Sequence, residues 1–209
     1  MNNINNAFKI NTFHGLKTHM VICEDVFENP LQVRASALQK YNHCIKKSFG
    51  HICQYGIMST DIAQLYSKLL KMNIYIKYVQ FLFIHKLLRS YPHTDDDSLC
   101  ESAINSIKTY NATDVNTYIG LHLASVIYLN PTVDEFNYTQ FFENCDKHKE
   151  NLLNVTSFVG NRFNKIVLYD GSICHSPGSG FGNDVDPETM RLVTSYFIYA
   201  YFAPHSEQS

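Results

Sequence analysis

Two histidines and a carboxylate, far apart in the chain, could bind one metal ion. His93 and Asp95 form a His-x-Asp pair, and His175 follows a strand-like stretch at 163–170. Side chains at positions i and i+2 of a strand point to the same face, so this pair could bind an ion without special backbone geometry. Two His and one carboxylate make the facial triad that holds non-haem Fe(II) and leaves positions open for reactants. The sequence therefore predicts His93, Asp95 and His175 as metal ligands and catalytic residues.

A cation follows the second histidine. Arg191 opens the strand-like stretch 191–202, after a turn-rich loop at 176–184. If 163–175 and 191–202 pair as antiparallel strands, the loop 176–190 returns Arg191 alongside His175. The guanidinium could then hold a carboxylate-bearing ligand in a bidentate contact.

The metal pattern is short, and the sequence leaves alternatives open. The chain has 10 His and 19 acidic residues, so a His-x-Asp pair also arises by chance. Asp97 could replace Asp95 as the carboxylate ligand. The Asp95–Asp97 run could also be a solvated acidic turn.

The predicted elements would form a β-barrel that positions these residues. Helical spacing predicts helices at 30–41, with Asn29 as N-cap, and at 61–72, whereas β-rich stretches predict strands at 20–23, 74–84, 121–129, 138–142, 163–170 and 191–202. The polar segment 96–118 interrupts the strands and contains a possible short helix at 99–109. This order predicts a mainly β fold with N-terminal helices (α+β), a barrel or jelly roll with helices packed on one side.

Composition limits the class of protein. The 209 residues fit a single domain, 1–209, and the net charge of −2 gives no reason to expect a nucleic-acid partner. No stretch is apolar enough to span a membrane, and the start lacks the features of a signal peptide. The six Cys form no C-x-x-C pair and are interpreted as reduced, mostly buried thiols. We therefore expect a cytoplasmic protein.

The ordered set His93-x-Asp95, His175 and Arg191 resembles the iron(II)/2-oxoglutarate-dependent oxygenase superfamily. The helices-first layout is similar to its prolyl-hydroxylase-like members. Several stretches look closer still to a small bacterial and viral branch: Glu24–Pro30, Val33–Ala35, Ala37–Leu38, Ile127–Asn130, Phe163–Gly171 and His175–Gly178. Where that branch usually has Gly-Gly-Thr, this chain has Asn137-Tyr138-Thr139.

The resemblance implies a double-stranded β-helix, a cupin-like jelly roll that binds Fe(II), 2-oxoglutarate and O2. It implies that Arg191, Tyr128 and Ser195 bind the cosubstrate. The implied reaction oxidises 2-oxoglutarate to succinate and CO2 while hydroxylating an unactivated C–H of an amino acid, peptide or peptide-like metabolite. Because Asp95 is present, halogenation is disfavoured. The oligomeric state is not implied.

Two other functions remain open from the sequence. One is a jelly-roll metalloenzyme that does not use 2-oxoglutarate, such as a cupin-like dioxygenase, although cupins often show His-x-His rather than His-x-Asp. The other is a catalytically inactive barrel that serves as a binding module.

Overall fold

The computed structural model describes residues 9–14, 19–47, 50–54, 56, 60–84, 92–95, 120–132, 138–143, 145, 154–178, 180–183 and 185–201. Two helices are present there, α1 (Pro30–Gln39) and α2 (Thr60–Leu70), with a short 3-10 helix at Tyr41–His43. The strands are β1 (Lys9–His14), β2 (His19–Glu24), β3 (Ile45–Lys47), β4 (Gly50–Cys53), β5 (Asn73–Ile84), β6 (Gly120–Tyr128), β7 (Tyr138–Phe142), β8 (Val155–Gly160), β9 (Ile166–Asp170), β10 (His175–Pro177) and β11 (Arg191–Tyr201).

Antiparallel strands form two sheets. The larger sheet has the order β1-β2-β9-β6-β11-β5-β4-β3, and the smaller has the order β10-β7-β8. His93 joins the smaller sheet through a bridge to His175. Strands far apart in sequence are neighbours in both sheets, and the fold is the jelly roll that the sequence predicts.

The central strands of the larger sheet are buried on both faces. On β11, Leu192, Tyr196 and Ile198 pack with helix α2 in the main core cluster, whereas Val193 belongs to a second cluster on the opposite face, towards the smaller sheet. The long apolar stretch in this strand therefore reflects two packed faces rather than one. The helices cover one face, and the other face lines a cavity.

Helix α1 begins where the sequence predicts, at Pro30 after Asn29. The Asn29 side chain makes no capping hydrogen bond, although its carbonyl oxygen accepts from the amides of Gln32 and Val33. Arg34, on the buried face of α1, donates to the carbonyl oxygens of Leu129 and Glu188 at 3.2 and 2.8 Å. These two hydrogen bonds connect the helix to the residue after β6 and to the loop before β11.

Several sequence predictions about strands are wrong. The stretch 20–23 is not the first strand, because β1 precedes it and pairs with it along its whole length. Strand β8 was not predicted, since its alternation is weak and it packs mainly through Val159. The stretches 163–175 and 191–202 do not pair: β9 lies between β2 and β6, and β11 lies between β6 and β5. The proposed helix at 99–109 lies outside the described residues.

The interpretation of all six cysteines as reduced is also wrong. Cys145 and Cys174 form a disulfide with a Cα–Cα distance of 5.3 Å, whereas Cys23, Cys44 and Cys53 are free thiols. Sequence spacing could not reveal this pair, because 29 residues separate its members and only the fold brings them together. Burial raises the pKa of the Cys23 thiol to about 11, which keeps it protonated. Cys100 lies outside the described residues.

Neither described helix has the length and apolar character needed to cross a membrane.

Candidate metal centre and anion pocket

Three segments bring the predicted metal ligands together. His175 lies on β10, whose backbone is paired with β7, and His93 exchanges two backbone hydrogen bonds of 2.9 Å with His175. Two residues further, the amide of Asp95 donates to the carbonyl oxygen of Gly171 at 3.0 Å. The turn after β9 therefore fixes one end of the His-x-Asp segment, and β10 fixes the other.

The ligand atoms of these residues form a compact cluster. One atom from each of His93, Asp95 and His175 lies within 4.8 Å of the others. Asp95 and His175 are buried, and Nε2 of His175 lies 3.8 Å from Oδ2 of Asp95. Nδ1 of His175 lies 2.9 Å from the carbonyl oxygen of Ile173; if that nitrogen carries the proton and donates, Nε2 is left as the coordinating atom.

The electrostatics of this cluster fit a cation. Burial raises the pKa of the Asp95 carboxyl to about 7, and burial, followed by the nearby His93, lowers the pKa of His175 to about 4. Both shifts express the cost of charge in a desolvated place. Oδ2 of Asp95 is buried and accepts no hydrogen bond from the described residues. A divalent cation would supply the missing partner for this oxygen.

Gly171 contacts the backbone of Asp95, the predicted carboxylate ligand. Gly171 accepts from Asp95 and donates its own amide to the carbonyl oxygen of His122 at 2.9 Å. A Cβ at this position would come within 2.8 Å of Nδ1 of His122. The lack of a side chain at Gly171 therefore leaves room for the His122 ring.

An arginine lies at the other end of the cavity. Arg191 is 1% exposed, and its guanidinium donates to the carbonyl oxygen of Tyr138 at 3.2 Å and to Oγ1 of Thr139 at 3.3 Å. Its carbon Cζ lies 5.6 Å from the ring centre of Tyr128, whose hydroxyl pairs with Thr139 at 2.7 Å. Burial lowers the pKa of Arg191, while nearby Tyr128 opposes the shift.

This guanidinium has no counter-ion among the described residues. Its Nε is buried and unpartnered, and no described carboxylate lies within ion-pair distance. A buried charge without a partner is costly, so this group is suited to an anion that enters from outside. The site at Arg191 therefore complements the cation site at the opposite end.

The strand register gives the separation of the two ends. His175 pairs with Phe141, and Pro177 pairs with Thr139, so the metal site and the arginine site are two strand residues apart. That is roughly 7 Å along the strand. An extended five-carbon dicarboxylate spans a similar length.

A cavity of about 380 Å³ connects the two sites. Its sheet wall is mostly apolar, and it is lined by Gln80, Leu82, Ile84, Ala124, Ser125, Val126, Val193, Ser195 and Phe197. Tyr169 packs its ring 4.8 Å from that of His175. Such walls exclude water and strengthen the polar contacts inside the cavity.

The remaining predicted residues lie in or beside this cavity. Ser195 lines it, two residues beyond Val193 on the same face of β11. Tyr128 is fully buried beneath Arg191 and touches it through its ring. Asp97, the alternative carboxylate ligand, lies outside the described residues, as does the whole segment 96–118.

Sequence reasoning missed Thr139 as a site residue. Thr139 is buried, lines the cavity and contacts both Tyr128 and Arg191. Its one signal was its place in Asn137-Tyr138-Thr139, where the resemblance expects Gly-Gly-Thr. The threonine of that motif is present in this chain, and its hydroxyl contacts both Tyr128 and Arg191.

Comparisons with known proteins give a fold. The sequence matches no known family profile and no curated protein. Among solved structures, SnoN, a non-haem alpha-ketoglutarate-dependent epimerase from nogalamycin biosynthesis, is 16% identical with a TM-score of 0.55, covering 90% of this chain and 82% of its own. HygX from Streptomyces hygroscopicus, solved with nickel, 2-oxoglutarate and hygromycin B, is 15% identical with a TM-score of 0.55, covering 88% and 83%.

A third structure gives the same result with a different reaction. SnoK, a non-haem alpha-ketoglutarate-dependent carbocyclase from nogalamycin biosynthesis, is 10% identical with a TM-score of 0.54, covering 90% of this chain and 84% of its own. At these identities the likeness concerns the fold. This chain therefore shares its jelly-roll fold with these three structures.

Proposed function

We propose that this protein is an Fe(II)- and 2-oxoglutarate-dependent oxygenase. The observation that carries the proposal is one cavity with the His93–Asp95–His175 cluster at one end and, at the other, a buried guanidinium that has no carboxylate partner among the described residues. The cosubstrate 2-oxoglutarate has a metal-chelating end and a distal carboxylate, and it matches both ends. The neighbours solved with nickel, iron or 2-oxoglutarate support this assignment.

Each residue has a defined task in this proposal. His93, Asp95 and His175 would hold Fe(II), which supplies the oxidative chemistry with O2 and 2-oxoglutarate. Arg191 would bind the distal carboxylate, and Thr139 would orient that guanidinium. Ser195, further along β11, would contact the cosubstrate nearer the metal.

The apolar wall would also determine what reacts. Leu82, Val126 and Phe197 would exclude water from the reacting centre and offer contact surface to a substrate. We propose hydroxylation of an unactivated C–H of an amino acid, peptide or peptide-like metabolite. Because Asp95 occupies the carboxylate position, the triad leaves no place for a halide. SnoN is an epimerase and SnoK is a carbocyclase, so reactions other than hydroxylation also occur on this fold.

Anaerobic titration tests the proposal. Fe(II) followed by 2-oxoglutarate should produce the visible charge-transfer band of the chelate, and admission of O2 should then release succinate. His175→Ala should abolish both signals. His51→Ala is the matched control, because His51 lies on β4 and contacts Tyr41, away from the cavity.

The outcomes separate the alternatives. Metal binding without the 2-oxoglutarate band would indicate a jelly-roll metalloenzyme that does not use this cosubstrate. Failure to bind metal would leave a binding module. Retention of the band in His175→Ala would contradict the triad.

We further propose a single domain, 1–209, that acts in the cytoplasm on a small molecule or peptide. Free thiols at Cys23, Cys44 and Cys53 agree with a reducing compartment. In such a compartment a disulfide like Cys145–Cys174 would be reducible rather than permanent.

A further inference from the structure

The disulfide lies directly beside a metal ligand. Cys174 precedes His175, and its carbonyl oxygen accepts from the amide of Phe142 at 2.8 Å. Its partner Cys145 lies in the connection between β7 and β8. The bond therefore fastens this connection to the backbone that carries His175.

Few other contacts hold that backbone. Strand β10 has three residues, and its last, Pro177, has no amide hydrogen to donate. Within the described residues, β10 pairs with β7 on one side and meets only the His93 bridge on the other. A metal ligand must be held within about 0.5 Å of its productive position. A covalent bond one residue away is well placed to provide that restraint.

The turn before Cys174 also determines the position of the His175 ring. The amide of Ile173 donates to the carbonyl oxygen of Asp170 at 3.0 Å. The carbonyl oxygen of Ile173 lies 2.9 Å from Nδ1 of His175. The orientation of the imidazole thus follows the path of residues 170–174. Loss of the cross-link would release Cys174 from the β7–β8 connection and leave the hydrogen bond from Phe142 as its link to β7.

We propose that the Cys145–Cys174 disulfide positions His175, so that its reduction weakens metal binding. The inference rests on the metal centre proposed above. It adds a thiol-dependent control that acts through the position of one ligand and does not alter the ligand set.

A dithiol reductant would open the bond by ordinary exchange. Its thiolate attacks the sulfur of Cys145, which is half-buried, whereas Cys174 is only 4% exposed. The S–S bond breaks and Cys174 leaves as a thiolate that takes up a proton. The second thiol of the reductant then displaces Cys145. The reductant ends as a disulfide, and the protein gains two electrons and two protons.

Cobalt binding to the full chain tests the inference. Oxidised protein, and protein reduced with dithiothreitol and desalted anaerobically, are each titrated with Co(II). Alkylation and mass spectrometry count the thiols of both samples. We expect the reduced form to bind Co(II) about 10–100-fold more weakly, as for loss of groups that orient metal ligands. Its visible ligand-field spectrum should change, and reoxidation should restore both properties.

Two variants separate positioning from general stability. Cys145→Ser/Cys174→Ser should behave like the reduced protein and should not respond to dithiothreitol. Leu65→Ala, on α2 in the main core, should lower the unfolding temperature and leave the Co(II) affinity and spectrum unchanged.

Equal cobalt affinity and spectra in oxidised and reduced protein would overturn the inference and leave the metal centre intact. A thiol count showing no disulfide in the oxidised sample would also overturn it. If neither form binds cobalt, the metal centre itself is wrong, and the inference falls with it.

Discussion

Replacing Arg191 with alanine should impair 2-oxoglutarate binding far more than metal binding. The guanidinium is 1% exposed and has no carboxylate partner among the described residues. A bound dicarboxylate would therefore form the missing half of a buried ion pair. Removing one partner of such a pair costs about 3–5 kcal/mol. At about 1.4 kcal/mol per factor of ten, the affinity should fall about 100- to 3,000-fold.

Two milder substitutions should reduce 2-oxoglutarate affinity by smaller amounts. Arg191→Lys should fall between wild type and alanine, because lysine keeps the charge and loses the planar fork. Thr139→Val preserves shape and removes the hydroxyl that contacts Arg191 and Tyr128. A loss of about 1 kcal/mol, roughly fivefold in affinity, is expected there.

A charge-matched control is available on the surface. The Arg162 side chain is 57% exposed and pairs with Glu24 at 2.8 Å. Arg162→Ala removes the same charge and should leave 2-oxoglutarate affinity unchanged. Lys165 also lies near Glu24, so neither residue is placed to substitute for Arg191.

Isothermal titration of 2-oxoglutarate into Mn(II)-loaded protein measures all four variants without turnover. Mn(II) affinity and circular dichroism of each variant show whether the fold and the metal site remain intact. A folded Arg191→Ala protein with wild-type 2-oxoglutarate affinity would refute the cosubstrate role of this residue.

Three further predictions concern the metal site and the fold. Burial raises the pKa of the metal-free Asp95 carboxyl to about 7, so part of the population carries a proton at neutral pH. Metal binding should displace that proton, and the release should fall as the pH rises from 7 to 8. Calorimetry in buffers of different ionisation enthalpy would show this, and no release at pH 7 would contradict the shift. Gly171→Ala should weaken metal binding about 10–100-fold, because its Cβ would clash with His122, whereas Gly160→Ala, with open space around its Cβ, should not. Asn164→Ala should destabilise the fold by about 2–4 kcal/mol in urea denaturation, because both the amide and the carbonyl of Phe27 lose their side-chain partner, and an unchanged midpoint would contradict that role.

The sequence predicted the fold class because local chemistry is strong in the central strands. Strands β5, β6 and β11 have long β-branched and aromatic stretches, and α1 starts at a proline after Asn29. These signals depend only on neighbouring residues. Strand β8 and the pairing of β9 and β11 depend on contacts far along the chain, and local patterns do not encode them.

The candidate site was also predictable in part, through its residue types, and not through contacts between distant strands. The residue types of His93, Asp95 and His175 were readable from the sequence, and the fold places their ligand atoms together. Thr139 was not chosen, because a threonine in a strand is ordinary until its hydroxyl is seen between Tyr128 and Arg191. Its role depends on contacts between three strands, because Thr139 lies on β7, Tyr128 on β6 and Arg191 on β11.

Charge in the cavity links the fold to the proposed chemistry. A guanidinium buried without a counter-ion among the described residues, and a carboxyl whose burial favours the neutral form, both cost stability in the free protein. The two buried groups lie at opposite ends of one cavity, and their charged forms have opposite signs. A cation would stabilise Asp95 as a carboxylate, and an anion would stabilise Arg191. A metal ion chelated by a dicarboxylate offsets both, so the unfavourable charges of the free protein become the basis for selecting that pair of ligands.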